Sequence, residues 1–292
     1  MLRIAENYRT IRNNLFRYVL GNLYDFDPSK DSLPFESLEA LDQYILRQTA
    51  AMAADVQRWY GEFAFHKVYQ RVLNFCTVEL SAFYFDVIKD RLYTYAPNSP
   101  GRRAAQTAIW RIGEALVRLL APVMSFTCEE VWGYLPGKRA QTVHAAQFPG
   151  RGDVLGRDDA GDDPKQLEDW STLLLVRDQV LKALETARNS KLIGKSLEAQ
   201  VTISAADPVY AVLARQREQL RYLFIVSAVT LEKADSGNGT GGVEVRVERA
   251  AGRKCDRCWN YSTRVGEDPA YPTVCERCSA VLKELEATAA VG

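Results

Sequence analysis

The chain has no long hydrophobic run and only two histidines among its 292 residues. No segment approaches the roughly 18 uninterrupted apolar residues that a membrane-spanning helix needs. The first residues show no basic stretch followed by an apolar run, so no signal peptide is expected. His66 and His144 are interpreted as ordinary structural or surface residues. The sequence therefore predicts a cytoplasmic protein without a membrane partner.

The chain also has no excess of charge, since 37 Lys and Arg balance 37 Asp and Glu. A neutral chain is not expected to bind nucleic acid strongly without a local basic surface. The charge is uneven along the sequence: residues 153–169 carry seven acids and two bases, whereas residues 3–17 carry four arginines and one glutamate. The acidic stretch is interpreted as solvated and would repel a polyanion. Any polyanion must therefore be bound elsewhere.

Six cysteines are present, and four of them form two C-x2-C pairs separated by sixteen residues. This spacing is typical of a zinc site with four thiolate ligands, which has no open position for substrate and is therefore structural. Two disulfides are the alternative, but nothing in the sequence indicates an oxidising compartment. Cys76 and Cys128 have apolar neighbours and are interpreted as core residues. The predicted ligands of one structural Zn²⁺ are Cys255, Cys258, Cys275 and Cys278.

Hydrophobic periodicity predicts a mainly α protein: an antiparallel helical bundle, a small α+β domain and a four-cysteine zinc knuckle. A helix from about residue 102 to 120 would bury Ile109, Ile112, Leu116 and Leu119. Thr127 and Glu130 suggest a capping box for the next helix. Alternation at Ala199, Val201 and Ile203 predicts a strand. The predicted domains are the bundle at 1–136, an acidic flexible linker at 137–168, the α+β domain at 169–250 and the zinc module at 251–292.

Four blocks of this sequence, residues 5–27, 119–136, 176–201 and 255–278, resemble the C-terminal part of bacterial isoleucyl-tRNA synthetases, which are class I enzymes. The segment from Lys191 to Ala199 and the terminal knuckles are the most specific of these matches. The resemblance implies that the bundle receives the anticodon stem and loop of an isoleucine-specific tRNA. It also implies that the zinc-bearing end contacts the same arm, and it favours a monomer.

The two nucleotide-binding signatures of that family, H-I-G-H and K-M-S-K-S, do not occur in this chain. The sequence is expected to begin just after the catalytic core and to be inactive alone in amino-acid activation. ATP would act only through a catalytic domain that precedes this chain covalently or is supplied separately. The alternatives are a free-standing zinc-knuckle protein that binds nucleic acid, or an interaction scaffold.

Five residues are predicted to bind RNA. Arg9, Arg12 and Asn13 fall close together on the opening helix at an α-helical pitch, and Arg and Asn side chains suit phosphates and base edges. Arg257 and Trp259 flank a zinc ligand and form a plausible pair for phosphate contact and base stacking. The opening helix face could equally be a solvated surface. Trp259 could instead cover the knuckle, and Arg257 could hydrogen-bond the thiolates.

Overall fold

The computed structural model describes residues 2–157, 164–234 and 242–289. Among these residues, the first of two units contains nine α-helices. The units divide between Gly161 and Asp162. Two π-helical segments, Thr10–Phe16 and Phe75–Tyr84, connect the first helix to the second and the fifth helix to the sixth without a break. The helices are α1 Leu2–Arg9, α2 Arg17–Gly21, α3 Pro28–Asp31, α4 Ala40–Gly61, α5 Phe65–Asn74, α6 Phe85–Thr94, α7 Pro100–Leu120, α8 Ser125–Tyr134 and α9 Arg151–Leu155.

The core of the first unit forms around α7, which packs against α4, α6, α8 and α9. The four α7 residues predicted to point inward, Ile109, Ile112, Leu116 and Leu119, are all fully buried. Gly113 permits a close approach of α2, because a Cβ atom there would lie 2.9 Å from Cγ1 of Val19. The predicted cysteines Cys76 and Cys128 are buried in the same core, and burial raises the pKa of both thiols to about 12.

A buried ion pair fixes the second π-helical segment against α4. The guanidinium of Arg91 donates two hydrogen bonds to the carboxylate of Asp42, at 2.8 and 2.7 Å. The hydroxyl of Tyr84 donates a third, at 2.8 Å. Burial, with the nearby Asp42, raises the pKa of Tyr84 well above its ordinary value. The segment held in this way packs against Thr10–Phe16 and so supports the opening helix.

The capping box predicted at the start of α8 is wrong. The helix begins at Ser125 after Met124, which makes no side-chain cap. Thr127 is buried inside the helix, where its hydroxyl lies 2.6 Å from the hydroxyl of Tyr8. The carboxylate of Glu130 pairs with Arg12 and does not turn back to the backbone. Both side chains are used by tertiary contacts with the opening helix, which the local motif could not reveal.

The predicted linker differs from the structure in part. Val143, Val154 and Leu155 are buried in the core of the first unit, so the chain up to α9 packs with the bundle. Residues 158–163 of the predicted linker lie outside the described residues. The division into domains at 136, 168 and 250 stays a prediction. Within the described ranges, none of the helices combines the length and the apolar character needed to cross a membrane.

The second unit contains a three-stranded sheet in which β1 Ala199–Ala205 lies between β2 Ala228–Lys233 and β3 Glu244–Arg249. Its central strand runs parallel to β2 and antiparallel to β3, and Ala199, Val201 and Ile203 are fully buried as predicted. Two helices connect the parallel strands, since such a pair needs a crossover. The elements are α10 Pro164–Asn189, β1 Ala199–Ala205, α11 Val209–Arg215, α12 Arg217–Phe224, β2 Ala228–Lys233, β3 Glu244–Arg249, β4 Arg253–Lys254, β5 Tyr261–Ser262 and α13 Glu276–Ala289.

Candidate nucleic-acid interface and metal centre

The four predicted zinc ligands come together at the end of the second unit. Cys255 follows β4 and Cys258 lies in the tight turn before β5, whereas Cys275 precedes α13 and Cys278 lies in its first turn. All four side chains are buried, and their sulfur atoms lie within 4.8 Å of one another. With Val265 and Val274, they form the small core of this module.

The distances between these sulfur atoms suit a metal and not a disulfide. The Sγ atoms of Cys258 and Cys275 are 3.7 Å apart, and all six cysteines of the chain are free thiols. Four Zn–S bonds of about 2.3 Å in a tetrahedron place the sulfurs about 3.8 Å apart. A disulfide would need about 2.05 Å. The alternative of two disulfides is therefore wrong, and the donor set fits one structural zinc.

Hydrogen bonds connect the sulfur atoms to one another and to neighbouring donors. Hydrogen bonding from Cys275 and Cys278 holds the pKa of Cys258 far below its ordinary value, and the same contacts with Cys258 raise the pKa of Cys275 to about 11 and that of Cys278 well above its ordinary value. The Cys275 N–H donates to Sγ of Cys255 at 3.3 Å. Nη1 of Arg257 lies 3.7 Å from Sγ of Cys278. Arg257 therefore contacts the thiolates, and such contacts orient metal ligands and hold negative charge.

Trp259 is presented on the surface by the knuckle turn. Its backbone N–H donates to the carbonyl of Cys255 at 2.9 Å. Its φ of 64° lies in the left-handed region, which non-glycine residues seldom adopt. The side chain is 56% exposed, and the partly buried residues that pack on the module core are Tyr271 and Leu282. The indole ring is thus exposed and does not cover the core. This placement favours the stacking interpretation over the covering one.

A groove on the first unit contains two of the three residues predicted on the opening helix. Arg12, Asn13 and Arg17 line a hollow of about 550 Å³ together with Glu130 and Tyr134 of α8. Nη2 of Arg12 lies 3.3 Å from Glu130, in a pair that is about half exposed on both sides. An exposed pair of this kind contributes little to stability, and a phosphate can therefore replace the carboxylate at small cost. Arg9 is exposed but does not line this groove.

Three polar or aromatic neighbours of the groove were not predicted from the sequence. Arg17 lies four residues after Asn13, and helical spacing alone could have indicated it. Tyr134 comes from α8 and is 74% exposed. Tyr93, 59% exposed, lines an adjoining hollow of about 460 Å³ with Asn13 and Asn14. Exposed rings beside Arg and Asn are the side chains that bind unstacked bases of an RNA loop.

The π-helical segment sets the direction of Arg12 and Asn13. The sequence prediction assumed a regular α-helix, but residues 10–16 have the wider turn of a π-helix. Ile11 and Leu15 are buried in the core, whereas Tyr8 is 41% exposed and contacts Thr127. Short π-helical segments occur frequently at functional sites. Here the segment exposes three consecutive polar residues, Arg12, Asn13 and Asn14.

The chain thus combines a helical bundle that has an exposed Arg–Asn groove with a four-cysteine module that follows it in the sequence. The model of the family described as "Anticodon-binding domain of tRNA ligase" matches residues 42–203. A second model, "Zinc finger found in FPG and IleRS", matches residues 252–281. The chain belongs to the family of anticodon-binding domains of tRNA ligases.

The chain is similar along almost its whole length to isoleucine–tRNA ligases. It is 46% identical over 290 residues to that of Syntrophotalea carbinolica, covering 97% of this chain and 30% of the relative. It is 44% identical over 274 residues to that of Dichelobacter nodosus, covering 94% and 28% respectively. The ligase of Geobacter sulfurreducens is 42% identical over 288 residues, with coverage of 97% and 30%.

The chain spans about 30% of the length of these curated relatives. The resemblance to the C-terminal part of bacterial isoleucyl-tRNA synthetases is confirmed. Because the similarity covers the bundle as well as the knuckles, the alternative of a free-standing zinc-knuckle protein is not favoured.

Proposed function

We propose that this chain binds the anticodon arm of an isoleucine-specific tRNA and serves as the tRNA-recognition portion of an isoleucine–tRNA ligase. The observation that carries the proposal is the groove between the opening helix and α8, on a bundle that belongs to the anticodon-binding family. The groove offers two guanidinium groups, a side-chain amide and an exposed phenol ring. These groups match the phosphates, base edges and base faces of a single-stranded loop.

The zinc module provides the second contact in this proposal. Cys255, Cys258, Cys275 and Cys278 hold one Zn²⁺, which fixes the turn that exposes Trp259. The exposed indole ring supports stacking on a base, a contact that every base can make with its π face. Arg257 contacts the sulfur of Cys278 and adds a positive charge to the module.

The remaining parts of the proposal concern the partners. The residues that activate isoleucine with ATP would belong to a catalytic domain, covalently linked or separate, since the relatives are about three times longer than the matched region. The chain itself would act as a monomer. Its role in the reaction is to position the tRNA, which lowers the barrier through proximity without contacting the reacting atoms.

The test compares three RNAs by fluorescence anisotropy with the purified 292-residue chain. The whole isoleucine tRNA and its isolated anticodon stem-loop should bind with similar affinity. A minihelix that contains only the acceptor arm should bind no better than an RNA of unrelated sequence. Affinity should fall with salt, by roughly 0.7 in the log–log slope for each phosphate contacted in a single strand. Equal affinity for the minihelix and the whole tRNA would contradict the proposal.

A further inference from the structure

Two lysines from separate parts of the second unit approach the exposed ring of Trp259. Nζ of Lys254, on β4, lies 5.3 Å from the ring centroid. Nζ of Lys195, which precedes Trp259 by more than sixty residues, lies 5.9 Å from the same centroid. Cations within about 6 Å of an aromatic centroid are attracted to the ring face. The two ammonium groups and the indole therefore form one surface, which the sequence does not bring together.

Hydrogen bonds attach the segment that carries Lys195 to the zinc module. The hydroxyl of Ser227 donates to the carbonyl of Leu197 and accepts from the N–H of Tyr261 at 2.7 Å. The N–H of Ala250 donates to the carbonyl of Glu198 at 2.8 Å. The loop before β1 is thus bonded directly to Ala250, before the first pair of cysteines, and through Ser227 to Tyr261, after that pair. The position of Lys195 relative to Trp259 is thus fixed by the fold of this unit.

The positive charge of this surface is not neutralised by neighbouring acids. Lys195 and Lys254 are both exposed, and among the residues that the structure describes neither ammonium group forms an ion pair, although Asp256, exposed, follows Lys254 by two residues. The acid nearest in sequence to Lys195 is Glu198, whose carboxylate accepts the N–H of Gly194 at 2.8 Å. Two unpaired ammonium groups beside a stacking ring suit an anion attached to an aromatic group, which is the chemistry of a nucleotide.

We propose that Lys195, Lys254 and Trp259 form a composite site for one unstacked nucleotide of the RNA. The base stacks on the indole ring, and the two lysines pair with the phosphate adjoining that base. Lys195 is the new member of the RNA interface, and it makes the segment from Lys191 to Ala199 part of that interface. This inference rests on the proposed function and adds a second element to the surface around the zinc module.

The experiment measures binding of the isoleucine anticodon stem-loop to the full chain and five variants, four with one substitution each and one with two. Lys195→Gln should weaken binding about two- to fivefold, the range for an exposed ion pair, and flatten the salt slope by about 0.7. Lys195→Arg should restore most of the affinity because it keeps the charge. Lys182→Gln, an exposed lysine on α10, is the matched control and should bind as the unmodified chain does. In the double variant with Trp259→Ala, the combined loss should be smaller than the product of the single losses, as for residues that share one ligand.

The possible outcomes distinguish failure of the composite site from failure of the proposed function. If the unmodified chain does not prefer the anticodon stem-loop over a stem-loop of unrelated sequence, the proposed function fails, and the site fails with it. If the chain shows that preference but Lys195→Gln behaves like Lys182→Gln, only the composite site is overturned. Strictly independent effects of Lys195→Gln and Trp259→Ala would also overturn it. Zinc content is measured for every variant, and loss of zinc from Lys195→Gln would assign Lys195 to the fold and not to RNA.

Discussion

At the residue scale, the candidate site depends on side chains whose direction is set by unusual local backbone. Trp259 has a positive φ immediately after a zinc ligand, and a non-glycine residue keeps such a conformation only where its surroundings impose it. The surroundings here are the four cysteines and two hydrogen bonds. The backbone N–H of Trp259 donates to the carbonyl of Cys255, and that of Cys275 donates to Sγ of Cys255. Zinc bound to the four cysteines would therefore fix the turn from which the indole ring projects.

Replacing one zinc ligand tests this dependence. Cys258→Ser should abolish zinc binding and unfold residues 251–289, because metal binding in such modules supplies folding free energy of about 10 kcal/mol or more. Elemental analysis would measure the zinc, and hydrogen exchange would show lost protection in that range alone. Cys128→Ala, which removes a buried thiol of the first unit, should keep one zinc per chain. Full zinc occupancy in Cys258→Ser would contradict the assigned ligand set.

At the scale of elements, the interface on the first unit is formed by a π-helical segment and α8. The segment Thr10–Phe16 packs against a second π-helical segment, which the buried pair of Asp42 and Arg91 holds in place. This packing leaves Arg12 and Asn13 on the open side, facing the end of α8. The groove is therefore a property of paired elements and not of the opening helix alone.

A double substitution in the groove can be compared with a single substitution outside the groove. Arg12→Ala with Arg17→Ala should weaken binding of the anticodon stem-loop and flatten the salt slope by about 1 to 2, since two phosphate contacts are lost. The fold should change little, because both side chains are exposed. Arg9→Ala removes one positive charge from α1, outside the groove, and should have less than half of that effect. An equal effect of Arg9→Ala would mean that general charge, and not the groove, attracts the RNA.

At the scale of the whole molecule, the chain combines a neutral net charge with local basic surfaces in each unit. Neutrality limits binding to unrelated polyanions, so the proposed recognition relies on the groove and the zinc module. Each unit has an exposed aromatic ring close to Arg or Lys side chains. Neither of the two sequence signatures for ATP binding occurs in the chain.

The isolated chain should therefore not activate isoleucine. Incubated with ATP, isoleucine and tRNA, it should give no isoleucine-dependent pyrophosphate exchange and no charged tRNA, because neither signature that holds ATP and stabilises charge during adenylyl transfer occurs in its sequence. The same preparation should compete with an intact isoleucine–tRNA ligase for tRNA, and this competition is the positive control. Pyrophosphate exchange that purifies with the chain would reverse this conclusion.

The sequence by itself determined the features that depend on local spacing. The helical periodicity of α7, the alternation of β1 and the spacing of the four cysteines each come from neighbouring residues, and the structure confirms all three. The similarity to isoleucyl-tRNA synthetases could also be recognised from short blocks. These signals survive because turns, helix faces and metal ligands obey fixed local geometry.

Only the tertiary structure decided which surfaces the chain presents. It joined Arg12 to Glu130 and Tyr134, and Lys195 to Trp259, across separations that no local pattern encodes. It also used Thr127 and Glu130 for contacts with the opening helix, where the sequence indicated a cap. The physical reason is packing: buried side chains fix how elements meet, and the exposed residues of a site lie together only as a consequence of that core.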